Sequence, residues 1–317
     1  MKIIKNSLEG IKVAAEILKD NGVVAFPTET VYGLGANACS KEAVTKVYTI
    51  KKRPSFNPLI IHVSSYEMAK EYGVFNDLAK KLTQKYWPGP LTIVVEKKKS
   101  DIVEAATASL ETIALRCPSN IIALDLIREL NKPIAAPSAN ISGRLTCTNP
   151  EDVSGKLKSR IDALVDGGES ELGLESTVVD CSVERPNILR LGNITVEEIN
   201  SSLGYKIVPN FQTVSRVKSP GQLLKHYSPD AELYLNQNQP SVGDIFLSFG
   251  PHPKAIDGLT LSESRNLEEA AKNLFTFLHT LDRLSKARGG VPIKVASIPS
   301  NGVGAAINDR LQRAAEK

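Results

Sequence analysis

The sequence predicts an α/β protein with a larger N-terminal unit and a smaller C-terminal one, on three observations. Short apolar runs bounded by turn residues alternate with amphipathic helical patterns along the chain. Loops rich in hydroxyls and amides follow several of those runs, where open α/β sheets hold ligands. At 317 residues the chain exceeds one average domain and can bury two cores of unequal size.

Ile11, Ala14, Ala15 and Leu18 repeat at helical spacing after Ser7, and Asn21-Gly22 ends that helix before an apolar strand, Val23 to Phe26. A second helix starts at an N-cap, Ser40, runs through Ala43, Val44, Val47 and Tyr48, and carries Lys51, Lys52 and Arg53 in its last turn before Pro54. Strands are expected at Leu59 to Val63, Leu91 to Glu96, Thr112 to Arg116, Ile134 to Ala136, Ala163 to Val165, Thr177 to Asp180 and Ile188 to Leu191. Helical patterns lie over 66–72, 76–86, 120–130 and 151–160. Thr195 and Glu198 form a T-x-x-E capping box for a helix closing at Gly204, and Tyr205 to Val208 reads as one more strand, so the first unit covers 1–209. Residues 210–229 lack steady periodicity and read as a surface linker. In the last unit, 230–317, Ala231 to Leu235, Asp244 to Phe249 and Lys294 to Ile298 read as strands, with helices at Leu267 to Leu284 and 304–315.

Hydrophobic residues make up 42% and charged residues 23%, ordinary globular usage, and no apolar run is long enough to cross a bilayer. The first residues enter a helical pattern without the apolar stretch of a signal peptide. Cys39, Cys117, Cys147 and Cys181 stand singly, without the spacing of a zinc site or a disulfide framework. The expectation is a cytoplasmic protein with reduced thiols and no membrane association. A net charge of +4 suits an anionic ligand and falls short of a dedicated nucleic-acid binder.

Walker A, H-E-x-x-H, G-x-S-x-G and EF-hand signatures are absent from the sequence. Gly33-Leu34-Gly35-Ala36-Asn37-Ala38 matches G-x-G-x-x-A after a strand, but no acidic residue about 20 positions on completes a dinucleotide fingerprint. Pro27-Thr28-Glu29-Thr30-Val31-Tyr32 crowds hydroxyls, a carboxylate and a phenol at a strand end. It reads equally as a ligand loop and as a turn whose threonines satisfy backbone groups. Lys51 and Arg53, followed by Asn57-Pro58-Leu59 and His62, place cations where phosphates can be held without a P-loop; Lys52 reads better as a helix C-terminal charge. Arg116 and Arg190 lie in apolar strands, so each needs either a buried carboxylate or an anion in a cleft. Ser138-Ala139-Asn140 with Ser142-Gly143, and Glu175-Ser176-Thr177, adjoin strands, where they orient a ligand or form Ser and Asx turns.

As an ordered set, these segments resemble the YrdC-like threonylcarbamoyl-AMP synthases. The resemblance rests on P-T-E-T-V-Y-G-L-G from Pro27, Lys51-Lys52-Arg53, Asn57-Pro58-Leu59, W-P-G-P-L-T from Trp87, L-R-x-P from Leu115, A-P-S-A-N-x-S-G from Ala136, E-S-T-V-V-D from Glu175 and R-x-G from Arg190. Ser219-Pro220-Gly221, His226-Tyr227-Ser228-Pro229 and Asn308-Asp309-Arg310-Leu311 are similar to the linker and terminal helix of that family's long two-domain form, although Gln222-Leu223-Leu224-Lys225 departs from its usual S-P-G-M linker.

The resemblance implies a YrdC-like twisted mixed-sheet domain, a linker acting as a lid over the site, and a smaller Rossmann-like α/β domain. It implies that L-threonine and bicarbonate form a carbamate that attacks the α-phosphate of ATP, giving threonylcarbamoyl-AMP and pyrophosphate for modification of tRNA next to the anticodon. No side-chain nucleophile is implied; Lys51 and Arg53 would stabilise charge. Thr30, His62, Arg116, Ser138 and Ser176 would hold threonine or its carbamate. Arg53, Asn57, Thr112, Asn140, Thr148, Arg190 and Tyr227 would contact ATP, with Lys51 near its phosphates. Mg²⁺ is implied mainly through ATP, with no ligand from the protein. The product would pass to the tRNA threonylcarbamoyl-transfer machinery, weak contact with tRNA itself being left open.

Two other readings compete. A basic RNA-binding module would account for the cations, but aromatics are only 5% of the chain and are not interleaved with Lys and Arg. A carbamoyltransferase of hydrogenase maturation shares the implied fold but carries acylphosphatase and zinc-finger segments that have no counterpart here.

Overall fold

A computed structural model of the chain describes residues 1–207, 209 and 226–316. The first unit runs β1 (Lys2–Lys5), α1 (Leu8–Lys19), β2 (Val24–Phe26), β3 (Gly33–Asn37), α2 (Lys41–Lys51), β4 (Ile60–His62), α3 (Tyr66–Tyr72), β5 (Gly73–Val74), α4 (Asp77–Tyr86), β6 (Leu91–Lys97), α5 (Glu104–Thr107), β7 (Thr112–Arg116), α6 (Ile121–Leu130), β8 (Ile134–Ala135), α7 (Pro150–Leu157), β9 (Ala163–Asp166), β10 (Thr177–Asp180), β11 (Asn187–Arg190) and α8 (Val196–Leu203). The second runs β12 (Leu233–Tyr234), β13 (Ile245–Ser248), β14 (Asp257–Thr260), α9 (Leu267–Ala287), β15 (Ile293–Val295) and α10 (Gly304–Ala315).

Among the described residues the first unit forms one 11-stranded mixed sheet, ordered β1-β9-β2-β3-β8-β4-β7-β6-β10-β11 with β5 beside β6. Alternation along β2 divides its two faces. Val23 and Ala25 join the core under α2, with Ala43, Val44 and Val47, whereas Val24 and Phe26 join Ile11, Leu18, Ile122 and Leu126 of α1 and α6. Polar caps satisfy free N–H groups at the start of α1, α2 and α8. Ser7 Oγ accepts from Gly10 N at 3.1 Å, Ser40 Oγ accepts from Ala43 N at 3.2 Å, and Thr195 and Glu198 form the reciprocal capping box.

The second unit is a 4-stranded parallel sheet, ordered β12-β15-β13-β14, packed on α9 and α10. Its core also receives Leu145, Leu174 and Tyr227 from outside the unit, so the two units share apolar packing.

Several expectations change. Gly33–Asn37 is a strand antiparallel to β2, so the G-x-G-x-x-A stretch closes a hairpin and does not open a helix. Strands β1 and β14 form at sheet edges, and α9 continues three residues past Leu284 to Ala287. Tyr205, Lys206 and Ile207 are in no strand, and Val208 lies outside the described residues. Of the expected linker, 210–225 also lies outside them, and with it Ser219-Pro220-Gly221 and Gln222-Leu223-Leu224-Lys225.

Candidate active site

The β2–β3 hairpin loop, Pro27 to Tyr32, is fully buried. Thr28 Oγ1 accepts from the N–H groups of Thr30 and Val31, both at 3.2 Å, which bends the loop back on itself. That bend sets Glu29 and Thr30 against the end of β7. Arg116 Nη2 donates to Glu29 Oε1 at 2.7 Å and to Thr30 Oγ1 at 2.8 Å. Arg116 Nε and Glu29 Oε2 are buried without a hydrogen-bond partner. The parallel register of β4 and β7 places His62 beside Arg116. Burial, reinforced by Arg116, pulls the His62 pKa down to about 3, so the imidazole is neutral near pH 7.

The end of α2 forms the next wall. Lys51 is buried, and its Nζ donates to the carbonyls of Ser138 and Asn140, each at 2.6 Å, and to Asn140 Oδ1 at 3.2 Å. All three ammonium donors are therefore engaged by the Ser138–Asn140 loop. Lys51 is an anchor of that loop. Arg53 donates from Nε to Asn57 O at 3.0 Å and from Nη2 to Asn57 Oδ1 at 2.6 Å and Pro58 O at 2.8 Å. Burial lowers its pKa to about 10, which leaves it charged at pH 7.

The third wall comes from β10, β11 and the described end of the expected linker, from His226 on. Arg190 donates from Nε to Ser176 O and from Nη2 to Ser176 Oγ, both at 3.0 Å, and Ser176 Oγ also lies 2.7 Å from Thr92 Oγ1. Burial alone would raise the Glu175 carboxyl, but Arg310 and Arg190 outweigh it and hold its pKa at about 2. Tyr227 is buried with φ +63°, its ring 5.5 Å from Phe275 and 5.1 Å from the Arg310 guanidinium. Ser228 N donates to Gly143 O at 2.8 Å, tying this returning segment to the loop after Asn140.

These walls line a cavity of about 40 Å³. Of the residues singled out in the sequence, Arg53, His62, Arg116, Ser138, Arg190 and Tyr227 line it. Thr30, Lys51, Asn57, Asn140 and Ser176 stand one bond behind as hydrogen-bond partners of lining residues. Two are not brought to it. Thr112 starts β7, four residues before Arg116, and pairs with Glu96; Thr148 Oγ1 meets Thr276 Oγ1 of α9 at 2.8 Å. The cavity also contains Thr28, Tyr32, Glu175 and His226, which were not singled out as site residues. Each stood inside a quoted motif, but its inward direction depends on tertiary packing.

Among the described residues there is no cluster of three or more His, Cys, Asp or Glu suited to a metal. The carboxylates at the cleft, Glu29 and Glu175, are both paired with arginines. No helix among the described residues is long and apolar enough to cross a membrane.

A twisted mixed sheet whose cationic, hydroxyl-rich cleft is flanked by a small parallel α/β unit defines a two-unit protein of the YrdC-like class. Residues 16–192 match the protein-family model described as "Telomere recombination", and residues 194–316 match "Threonylcarbamoyl-AMP synthase, C-terminal domain". The chain belongs to the threonylcarbamoyl-AMP synthase family. It is 39% identical to the threonylcarbamoyl-AMP synthase of Bacillus subtilis, covering 96% of this chain and 92% of that one. With the Pyrococcus abyssi synthase it shares 38% identity over 96% of this chain and 93% of that one. The solved structure of P. abyssi Sua5 complexed with L-threonine superposes with a TM-score of 0.89 at 34% identity, covering 99% of this chain and 97% of that one. Helix α8 falls within the C-terminal family match, yet it packs on α4 of the first unit, where Tyr86 Oη donates to Glu198 O at 3.0 Å.

Proposed function

We propose that this chain joins L-threonine, bicarbonate and ATP into threonylcarbamoyl-AMP and pyrophosphate within the cavity, supplying the activated group for threonylcarbamoyladenosine in tRNA. The observation that carries this reading is one buried cleft lined by two sets of groups. Arg116, held by Glu29 and Thr30, faces it beside the neutral His62. Arg53, Arg190 and Tyr227 line the same cleft.

Arg116 suits the threonine carboxylate, with Thr30, Ser138 and Ser176 shaping the pocket around the side chain and carbamate. A neutral His62 accepts or donates a hydrogen bond without adding charge. The amine condenses with bicarbonate, losing water, and a carbamate oxygen then forms the new bond to the α-phosphorus as pyrophosphate leaves. Arg53 and Arg190 would offset charge developing on the phosphates, and Tyr227 would pack against the nucleotide. Asn57 directs Arg53, Lys51 and Asn140 fix the Ser138 loop, and Thr112 and Thr148 would act from outside the cavity wall. Mg²⁺ arriving on ATP would neutralise phosphate charge.

The division into 1–209, a linker 210–229 and 230–317 belongs to the same proposal, with the linker closing over the cleft so that the carbamate is kept from water. Delivery to the transfer machinery and a cytoplasmic setting belong to the same proposal.

The test supplies purified protein with Mg²⁺, ATP, threonine and labelled bicarbonate, omitting each in turn. Label in an AMP adduct only when all are present is the expected result. Intact ATP with retained RNA would overturn it in favour of an RNA-binding module.

A further inference from the structure

We propose that Arg310, on the last helix of the second unit, is a positioning residue for the nucleotide side of the cleft. Its side chain is buried at 1% exposure, and its donors reach two separate segments of the first unit. Nε donates to Glu175 Oε2 at 3.1 Å, and Nη2 donates to the carbonyl of Leu191 at 2.7 Å. Nη1 donates to Asp309 Oδ2 at 2.6 Å, which orients the guanidinium from its own helix. The guanidinium also lies over the Tyr227 ring, 5.1 Å from its centroid.

These contacts bracket the site. Glu175 immediately precedes Ser176, and Leu191 immediately follows Arg190, so Arg310 grips the chain on both sides of the Ser176–Arg190 contact. The same group presses on Tyr227, which brings the returning segment into the cavity wall. A flat fork with five donors can bond a carboxylate and a carbonyl while presenting a face to a ring; lysine, with one rotatable ammonium, cannot. A buried ion pair gives little net stability over apolar packing, so the telling property of Arg310 is the directions it fixes. The second unit thus does more than tether the linker. Helix α10 builds part of the wall behind Arg190 and Tyr227.

This inference rests on reading that side of the cleft as the ATP side. The test compares the full-length wild type with Arg310→Lys, varying ATP and threonine separately and checking the fold by circular dichroism. Lysine keeps a charge against Glu175 but gives up Leu191 and the ring contact. The expected result is an ATP KM raised about ten-fold, the scale of one lost hydrogen bond, with the threonine KM within about two-fold of wild type. Should lysine prevent folding, the double variant Arg310→Gln/Glu175→Gln removes both members of the buried pair and is expected to raise the ATP KM in the same selective way.

A fall in kcat with both KM values unchanged is what a purely structural role would give, and it overturns the inference, as does no change at all. A wild type that makes no threonylcarbamoyl-AMP overturns the reading of the cleft itself. A working wild type with an indifferent Arg310→Lys overturns the inference alone.

Discussion

The buried ammonium of Lys51 donates to both the main-chain carbonyl of Asn140, at 2.6 Å, and its side-chain oxygen, at 3.2 Å, joining two motifs 89 residues apart. The Ser138–Asn140 loop therefore has its shape set from the end of α2. Lys51→Met fills the space but leaves the Asn140 carbonyl without a donor, at about 1–3 kcal/mol for a buried group, while Ser138 O keeps Asn140 N and Asn140 Oδ1 keeps Ser138 Oγ. We expect a stability loss of about 1–3 kcal/mol in urea melts and a fall of at least about 100-fold in adenylate formation. The neighbouring Lys52 is exposed, and Lys52→Met is expected to leave both unchanged.

Arg116 and Glu29 test whether a residue binds substrate or only neutralises a buried charge. Their side chains are 4% and 2% exposed, so Arg116→Met strands a carboxylate, at a cost of about 3–5 kcal/mol. Adding Glu29→Gln is expected to recover most of that stability. It is not expected to recover threonine binding, which calorimetry would measure directly. A double variant that binds threonine normally would remove Arg116 from the threonine pocket.

Gly192 shows how closely two segments meet beside the site. A Cβ there would lie 2.4 Å from Thr177 N, 2.5 Å from Glu175 O and 2.6 Å from Ser176 C. Those atoms are backbone and cannot rotate away. Gly192→Ala is expected to displace the Glu175–Thr177 segment, lowering activity by at least about ten-fold and stability by about 1–3 kcal/mol. Activity assays and thermal melts of the same sample would separate the two effects.

The same contacts explain what could be read from the sequence. Strands such as Thr112–Arg116 and Thr177–Asp180 were legible because apolar runs between turn residues leave few other options. Strand β3 was not, because its glycines imitate a nucleotide loop. Their role is steric: a Cβ on Gly35 would lie 2.7 Å from a ring carbon of Phe26. The edge strands β1 and β14 owe their state to pairing with β9 and β13, which local pattern does not reveal. In the candidate site, Arg116 and Arg190 were legible because a cation in an apolar strand demands a partner, and Arg53 because it stands with Lys51 at the end of a helix. Arg310 and Glu175, 135 residues apart, find each other only through the contact between the two units.

The cleft also predicts how stability responds to acid. His62 and His226 are both buried, and burial, aided by nearby cations, pulls each pKa down to about 3. In the unfolded chain they titrate near 6.5, the ordinary value for a free imidazole. Below that pH the unfolded state takes up protons that the native state refuses, so stability falls as pH falls, by about 1.4 kcal/mol per unit for each histidine until about pH 3. His279, also lowered chiefly by burial, adds in the same direction. Glu175, held at about 2, acts later: its contribution is present above 4.5 and is lost only as pH falls from there towards 2. Urea melts at pH 7.5 and 5.5 are therefore expected to differ by about 3 kcal/mol from His62 and His226 together, with the higher pH more stable. His226→Gln is expected to remove about half of that difference. An unchanged difference would mean that His226 is already exposed to solvent in the native chain, and the segment carrying Tyr227 would then not be closed against the cleft.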